Sequence, residues 1–194
     1  MFEVGKYIGS GNTGDFFRLR GNSQLGVKIT QHKIGFNARR KLNKEFQKTL
    51  VLRKLGVNVP KPIGVMKVKF PSFFDKTLDK QRPNIHYLPE WLTTLRGKTQ
   101  WGFVMRFIET DLSLISSVRV KYYYIRERKK VLDLGITVVD SSPAHNTLWS
   151  QREKKLYFID VELWKIPARL LKGEGPIVKL LQFFGVKKKA PREI

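Results

Sequence analysis

The sequence predicts an α+β fold that begins with an antiparallel sheet. Three short runs, 2–8, 16–20 and 25–29, have the length and composition of strands. The turn-forming residues 21–23 separate the second and third runs, as a hairpin loop would. Residues 38–55 then change to helical spacing and end before Gly56, a common helix stop. We therefore expect an N-terminal sheet with one helix.

The remainder of the chain predicts further strands and helices. Pro60 and Pro62 favour an extended segment, because proline disfavours helix in the residue before it. Residues 67–101 mix lysines, prolines and aromatic residues, which predicts a long basic excursion. The expected elements are a short helix over 88–95, a strand over 102–108, a helix over 112–134, short strands over 136–139 and 156–159, and helices around Leu170 and over 177–184.

The composition bounds the class of protein. The chain has 194 residues, of which 41% are hydrophobic and 12% aromatic, which is typical of one globular domain. It has no cysteine, so disulfides, zinc–thiolate sites and thiol nucleophiles are excluded. No apolar run approaches the roughly 18 residues of a membrane span, and the first residues do not resemble a secretory signal. We expect a soluble, intracellular protein in the cytoplasm.

The charge is strongly positive. Lysine and arginine number 38 against 16 acidic residues, which gives a formal net charge of +22. Such a field attracts polyanions such as nucleic acid, ribonucleoprotein, acidic protein segments or an anionic membrane face. The alternative is a solvated basic surface without a polyanionic partner, and the charge count does not decide between them.

A glycine-rich segment follows the first predicted strand. Gly9, Gly11 and Gly14 have the spacing G-x-G-x-x-G, which occurs in dinucleotide-binding folds and in other phosphate-binding loops. A dinucleotide fingerprint opens a helix, whereas the residues after Gly14 are aromatic and strand-like. Lys28 follows in the next strand, where its charge would reach the same phosphates. This order favours a glycine-rich hairpin over a dinucleotide fold.

A buried lysine needs an acidic partner. Glu45 lies at the edge of the apolar stripe of the predicted helix, on the side that faces the sheet, and could meet Lys28. The alternative is that Glu45 is a surface carboxylate between Lys41 and Lys48.

Three oxygen-bearing residues follow the short strands of the second half. Asp140 and Asn146 come after the run 136–139, and Asp160 comes after the run 156–159. Carboxylate and amide oxygens suit Mg²⁺, which keeps several waters and binds few protein groups. Asn146 and Asp160 would then hold the metal, and Asp140 would accept or orient a hydroxyl proton. Taken singly, each residue is more typical of a turn or a cap.

Together these residues resemble the protein-kinase-like superfamily, above all the RIO kinases, the KEOPS-complex kinase and the lipopolysaccharide kinases. The most specific local match is KEFQKTLVLRKLGVNVPKPIGV, which is similar to the RIO pattern of an acidic helix followed by G-V-x-V-P-x-P-I. The resemblance covers residues 5 to about 165 in the same order as the family.

The resemblance implies a role for each of these residues. Lys28 and Glu45 would be the catalytic ion pair, Asp140 the catalytic aspartate, and Asn146 and Asp160 the magnesium ligands. Phe16 would lie over the adenine, and backbone groups of Arg106 and Ile108 would contact its edge. The implied ATP-binding residues are Gly9, Ser10, Gly11, Asn12, Thr13, Gly14, Phe16, Lys28, Met105, Arg106 and Ile108.

Three departures from the family pattern bear on activity. Asn146 lies six positions after Asp140, where kinases have five, so either the loop carries one extra residue or Ser141 stands at the nominal base position. Val138 replaces the usual histidine, and Val161 and Glu162 replace the phenylalanine and glycine after the metal-binding aspartate. The chain also lacks an A-P-E motif after Asp160.

The resemblance implies one kinase-like domain over 1–194 with two lobes. The N-lobe would span about 1–105, the hinge 106–110 and a reduced, mainly helical C-lobe 111–194. The implied activity is transfer of the γ-phosphoryl group of Mg-ATP to a serine or threonine hydroxyl, with an acidic protein as the favoured substrate. The alternatives are a pseudokinase or ATPase switch on a nucleic-acid-containing complex, and a small-molecule or glycan kinase.

Overall fold

The computed structural model describes residues 1–11, 14–30, 36–72, 94–110, 117–139 and 146–171. The α+β class is confirmed. In chain order the elements are β1 (Phe2–Gly11), β2 (Gly14–Leu19), β3 (Asn22–Ile29), α1 (Phe36–Lys54), β4 (Pro62–Lys69), β5 (Thr99–Arg106), α2 (Val118–Asp133), β6 (Thr147–Ser150), β7 (Lys155–Phe158) and α3 (Ala168–Leu171), with a 3₁₀ turn at Val161–Leu163 between the last two.

The first five strands close into a barrel with the order β1-β2-β3-β5-β4. Four of the pairings are antiparallel, and the parallel pairing of β1 with β4, where Phe2 faces Val68, closes the barrel. The interior is apolar and includes Val4, Phe17 and Val27, each fully buried. The predicted antiparallel sheet is therefore present, and its closure by a parallel pair is an addition that local patterns do not reveal.

The region between α1 and β5 corrects two expectations. Pro62–Lys69 is a full strand, so the predicted basic excursion does not begin at residue 67. Its exposed lysines alternate with buried residues, as in a strand with one solvated face. β5 begins at Thr99 and not at residue 102. Most of the predicted helix over 88–95 lies outside the described residues, and Leu95 belongs to a turn.

Helix α1 covers the outer face of the barrel. Leu42 is fully buried, and the ring of Phe46 meets that of Phe103 edge-on, with centroids 5.8 Å apart. Gly56 has φ of +79°, which favours glycine and ends the helical segment as predicted. The predicted helical stripe therefore packs against β4 and β5.

The second half contains α2, a hairpin and a turn that share one core. Helix α2 begins at Val118 and not at residue 112, because Ser117 is extended and its Oγ accepts from the Val120 N–H as an N-cap. Strand β6, Thr147–Ser150, was not predicted. The run 136–139 forms a single bridge, Thr137 with Lys165.

The C-terminal elements pack around two tryptophans. Trp149 and Trp164 are each 1% exposed and join Leu156 and Phe158 in one apolar cluster. The helix expected around Leu170 is present as α3, and the one expected over 177–184 lies outside the described residues. Within the described part of the chain, no helix combines the length and the apolar character needed to cross a membrane.

Candidate active site

The side chain of Lys28 lies between two carboxylates from distant parts of the chain. Its Nζ donates to both oxygens of Glu45, at 2.9 and 2.8 Å, and to Oδ1 of Asp160 at 2.8 Å. Lys28 is on β3, Glu45 on α1, and Asp160 immediately beyond β7. The contact between Lys28 and Glu45 that the sequence predicts is confirmed. The direct contact with Asp160 was not predicted.

The three charged groups differ in burial. The side chains of Lys28 and Glu45 are 10% and 4% exposed, whereas that of Asp160 is 19% exposed. Burial alone would lower the pKa of Lys28, but attraction to Glu45 and Asp160 outweighs it and raises the pKa above its usual value. Burial raises the pKa of Glu45. One ammonium thus serves two carboxylates.

The backbone of Asp160 is left-handed, with φ of 55° and ψ of 47°. This conformation is uncommon for a residue with a side chain, and aspartate and asparagine tolerate it best. Asp160 directly precedes the 3₁₀ turn at Val161–Leu163, so the strained residue lies where the chain leaves the hairpin. Such strain is common at functional sites, and here it accompanies a carboxylate directed at Lys28.

A second set of contacts fastens α1 to the segment after Asp160. Lys41 pairs with Glu162 at 3.2 Å, and Lys48 donates to the backbone carbonyls of Glu162 and Trp164, the latter at 2.9 Å. Burial lowers the pKa of Lys48. The sequence analysis did not place Lys41, Lys48 or Glu162 in the site. The spacing of Lys41, Glu45 and Lys48 was the available clue, because residues 41, 45 and 48 share one helix face.

The hairpin of β6 and β7 brings Asn146 next to Asp160. The carbonyl of Asn146 accepts from the N–H of Ile159 at 3.0 Å, and Thr147 pairs with Phe158. Two predicted metal ligands, 14 positions apart in sequence, therefore lie at the same end of the hairpin. Asp140 lies outside the described residues.

The glycine-rich segment joins β1 to β2 beside Lys28. Gly9 pairs with Phe16 and Gly11 with Gly14, while Asn12 and Thr13 lie outside the described residues. A Cβ on Gly14 would meet the carbonyl oxygen of Ile29 and would lie 3.3 Å from Cε of Lys28. Glycine at this position therefore lets the hairpin approach the lysine, an arrangement that fits a phosphate bound against backbone amides.

The predicted hinge lies at the end of β5. The side chains of Met105 and Ile108 are 7% and 4% exposed. The N–H of Arg106 donates to the carbonyl of Lys61 at 2.8 Å, so this N–H is already engaged. The expected adenine contacts of Met105, Arg106 and Ile108 remain predictions.

Neither comparison with known proteins finds a relative. No protein-family model matches the chain, and no curated protein matches it in sequence. Membership of the protein-kinase-like superfamily therefore remains a prediction that depends on the residues described above.

The carboxylates of the site form a donor set that suits a hard cation. Oxygens of Glu45, Asp160 and Glu162 lie within 4.8 Å of one another. Carboxylates are the ligands that Mg²⁺ prefers. Asp160 was expected to bind the metal, whereas Glu45 and Glu162 were not. Lys28 now neutralises part of this cluster, so metal binding at Asp160 would compete with the ammonium.

A separate ion pair connects the end of β5 to the hairpin. Glu153 accepts from the hydroxyl of Tyr157 at 2.5 Å and pairs with the guanidinium of Arg106. The hydrogen bond from Tyr157, together with Arg106, lowers the pKa of Glu153. Burial, together with the neighbouring Glu153, raises the pKa of Tyr157 to about 12. A lowered carboxyl pKa contributes stability above the unfolded value of 4.5, and that stability is lost as the pH falls through the folded value.

We expect Glu153→Gln to lower the free energy of unfolding at about pH 7 by no more than about 1 kcal/mol, because the group is partly exposed. The difference from wild type should shrink as the pH falls from about 4.5 towards the lowered pKa of the folded Glu153 carboxyl, and should be lost once that carboxyl is protonated. Urea denaturation at several pH values measures both quantities. A difference that stays constant across this range would show that Glu153 does not titrate as described.

Proposed function

We propose that the chain is an atypical protein kinase that transfers the γ-phosphoryl group of Mg-ATP to a serine or threonine hydroxyl. The observation that carries the proposal is the position of Lys28 between Glu45 of α1 and Asp160 beyond β7. In protein kinases a lysine of the third strand pairs with a helix glutamate, and the aspartate of a later loop binds magnesium. Two of the expected parts, Glu45 and Asp160, thus lie within hydrogen-bond distance of the third, Lys28.

Each residue of the site has a distinct role in this proposal. Backbone amides of residues 9–14 and the ammonium of Lys28 bind the phosphates, and Glu45 holds Lys28 in place. Asn146 and Asp160 would hold Mg²⁺, which would supply charge neutralisation at the phosphate oxygens. Asp140 orients the acceptor hydroxyl and takes its proton. Rate enhancement comes chiefly from positioning and electrostatic stabilisation.

The contacts of Lys28 indicate how a phosphate enters. An ammonium has three N–H donors, and three carboxylate oxygens already lie within 2.9 Å of Nζ. A phosphate oxygen must therefore replace one of them. Asp160 is the more exposed partner of Lys28, so the phosphate oxygen takes its place beside the ammonium. The carboxylate of Asp160 is then free to bind the metal.

The order of elements supports a two-lobed arrangement. The barrel with α1 would be the N-lobe, and α2 with the β6–β7 hairpin would form the core of a reduced C-lobe. The segment after β5 would be the hinge, and the ion pair of Arg106 with Glu153 joins it to the hairpin. The charge of the chain favours an acidic protein as substrate.

The direct test is transfer of radiolabelled γ-phosphate to casein or to the chain itself. We expect Asp160→Asn to reduce transfer by at least about 100-fold, since it removes a group that acts on the reacting phosphate. Asparagine is preferred to alanine because it tolerates the left-handed backbone of residue 160. Asp133→Asn is the matched control, because Asp133 is an exposed carboxylate on α2 that pairs only with Lys129 among the contacts resolved.

Two results would contradict the proposal. If wild type shows no transfer although it binds Mg-ATP, the chain is a pseudokinase or an ATPase switch. If Asp160→Asn transfers phosphate as fast as Asp133→Asn, the site described above is not the catalytic one. Asp140→Ala tests in the same assay whether the extra residue before Asn146 has moved the catalytic position. If it has, the Asp140→Ala variant should still transfer phosphate.

A basic and aromatic surface on the barrel favours a second candidate function, nucleic-acid binding by a nucleotide-dependent switch. The guanidinium of Arg39 lies 4.5 Å from the centroid of the Trp101 ring, and Nζ of Lys67 lies 5.9 Å from it. Surfaces that bind single-stranded nucleic acid combine basic side chains with aromatic rings on which bases stack. Binding to poly(U) RNA that weakens with salt and falls in Arg39→Gln/Lys67→Gln, without phosphoryl transfer, would favour this candidate.

A further inference from the structure

The ring of Phe16 lies directly on Gly26. Phe16 is paired with Lys28 across β2 and β3, and Gly26 is two residues before Lys28, on the same face of the sheet. A Cβ on Gly26 would lie 2.5 Å from Cζ and 2.9 Å from Cε1 of Phe16. The ring therefore occupies the space that the missing side chain of Gly26 leaves.

The same ring also reaches the predicted hinge. Phe16 and Phe107 are nearly parallel, with an interplanar angle of 14° and centroids 6.2 Å apart. The guanidinium of Arg18 lies over the ring of Phe107, 4.2 Å from the ring centroid. Phe16 thus lies against both Gly26 and Phe107, and Cδ2 of Phe107 would itself lie 3.3 Å from a Cβ on Gly26.

A nucleotide bound as proposed above would need this space. Its phosphates would lie at Lys28 and its base at Arg106 and Ile108, and Gly26 is on β3 between them, paired with Met105. A base held between Phe16 and β3 would need a contact distance of about 3.5 Å on each of its faces. Phe16 touches Gly26 itself, so no layer of that thickness remains between them.

We propose that Phe16 occupies the base subsite of this chain and that a nucleotide binds only after the ring has moved away. The inference rests on the proposed function, because it takes the nucleotide site to lie along β3. It differs from the expectation that Phe16 lies over the adenine, since ring and base exclude each other in this conformation. The residue then acts as an internal competitor that sets the affinity for purine nucleosides.

The test compares wild type with Phe16→Val, which suits a strand and is too short to cover Gly26. Three probes are titrated into each protein and followed by calorimetry: ATP, adenosine and tripolyphosphate. We expect Phe16→Val to bind ATP and adenosine at least threefold more tightly than wild type. Tripolyphosphate, which has no base, should bind both proteins equally. A thermal unfolding scan of each protein shows that the variant is folded.

Every other result overturns the inference in a recognisable way. Equal affinity of both proteins for adenosine would show that Phe16 does not block the base. Weaker adenosine binding by Phe16→Val would show that the ring is a stacking platform. Tripolyphosphate binding without adenosine binding in either protein would remove the base subsite and keep the phosphate site. Absence of binding for all three probes would refute the proposed function, and the inference with it.

Discussion

The Lys28→Met variant should lose phosphoryl transfer together with about 3–5 kcal/mol of folding stability. The stability falls because Glu45, whose side chain is 4% exposed, is left without its ammonium partner, and removing one member of a buried ion pair costs about this much. Transfer falls by about 100- to 1000-fold because the charge that contacts the phosphates is gone. Urea denaturation and the radiolabel assay measure the two effects separately.

A second substitution separates these two effects. In Lys28→Met/Glu45→Gln no unpaired carboxylate remains on α1, so most of the lost stability should return. Transfer should stay at the level of the single variant, since the ammonium is still absent. Recovery of transfer along with stability would show that Lys28 has only a structural role.

Trp149→Ala should destabilise the protein by about 3–5 kcal/mol, the range for loss of a large buried aromatic side chain. Trp149 is 1% exposed, and its ring centroid lies 4.9 Å from that of Tyr123. Its indole N–H donates to Oε1 of Gln151 at 3.0 Å. It joins strand β6 to helix α2. The loss should therefore loosen the hairpin that brings Asn146 next to Asp160.

The measurement is the free energy of unfolding of Trp149→Ala and Trp149→Phe. Phenylalanine keeps an aromatic contact with Tyr123, so Trp149→Phe should lose clearly less folding stability than Trp149→Ala. Equal losses for the two variants would indicate that the hydrogen bond to Gln151, which both variants lack, carries the stabilisation and that the ring packing does not.

Local patterns revealed the parts of the site that lie on regular elements. Lys28 belongs to a short apolar strand and Glu45 to a helix with clear periodicity, so the side chains that face each other could be inferred from their positions. Gly56 marked the end of α1, as its positive φ confirms. Such inferences succeed because strand alternation and helical spacing depend on neighbouring residues alone.

The remaining features depend on contacts between distant residues. The parallel pairing of β1 with β4 joins residues 2–3 to residues 68–69, and no local pattern encodes it. The left-handed backbone of Asp160 occurs where the chain leaves the hairpin, and its hydrogen bond with Lys28 joins that point to β3. Gly26 is the sequence feature that indicates a further contact, because a glycine inside a strand often marks the close approach of another group. Here that group is the ring of Phe16.

The most direct test of the central claim is the dependence of ATP binding on Mg²⁺ in wild type and in Asp160→Asn. The account predicts that Mg²⁺ strengthens ATP binding to wild type, because Asp160 releases Lys28 and takes up the metal. Asp160→Asn should still bind ATP, through Lys28 and the glycine-rich hairpin, and Mg²⁺ should no longer strengthen it. If Mg²⁺ strengthens binding equally in both proteins, Asp160 does not hold the metal and the proposed site is wrong.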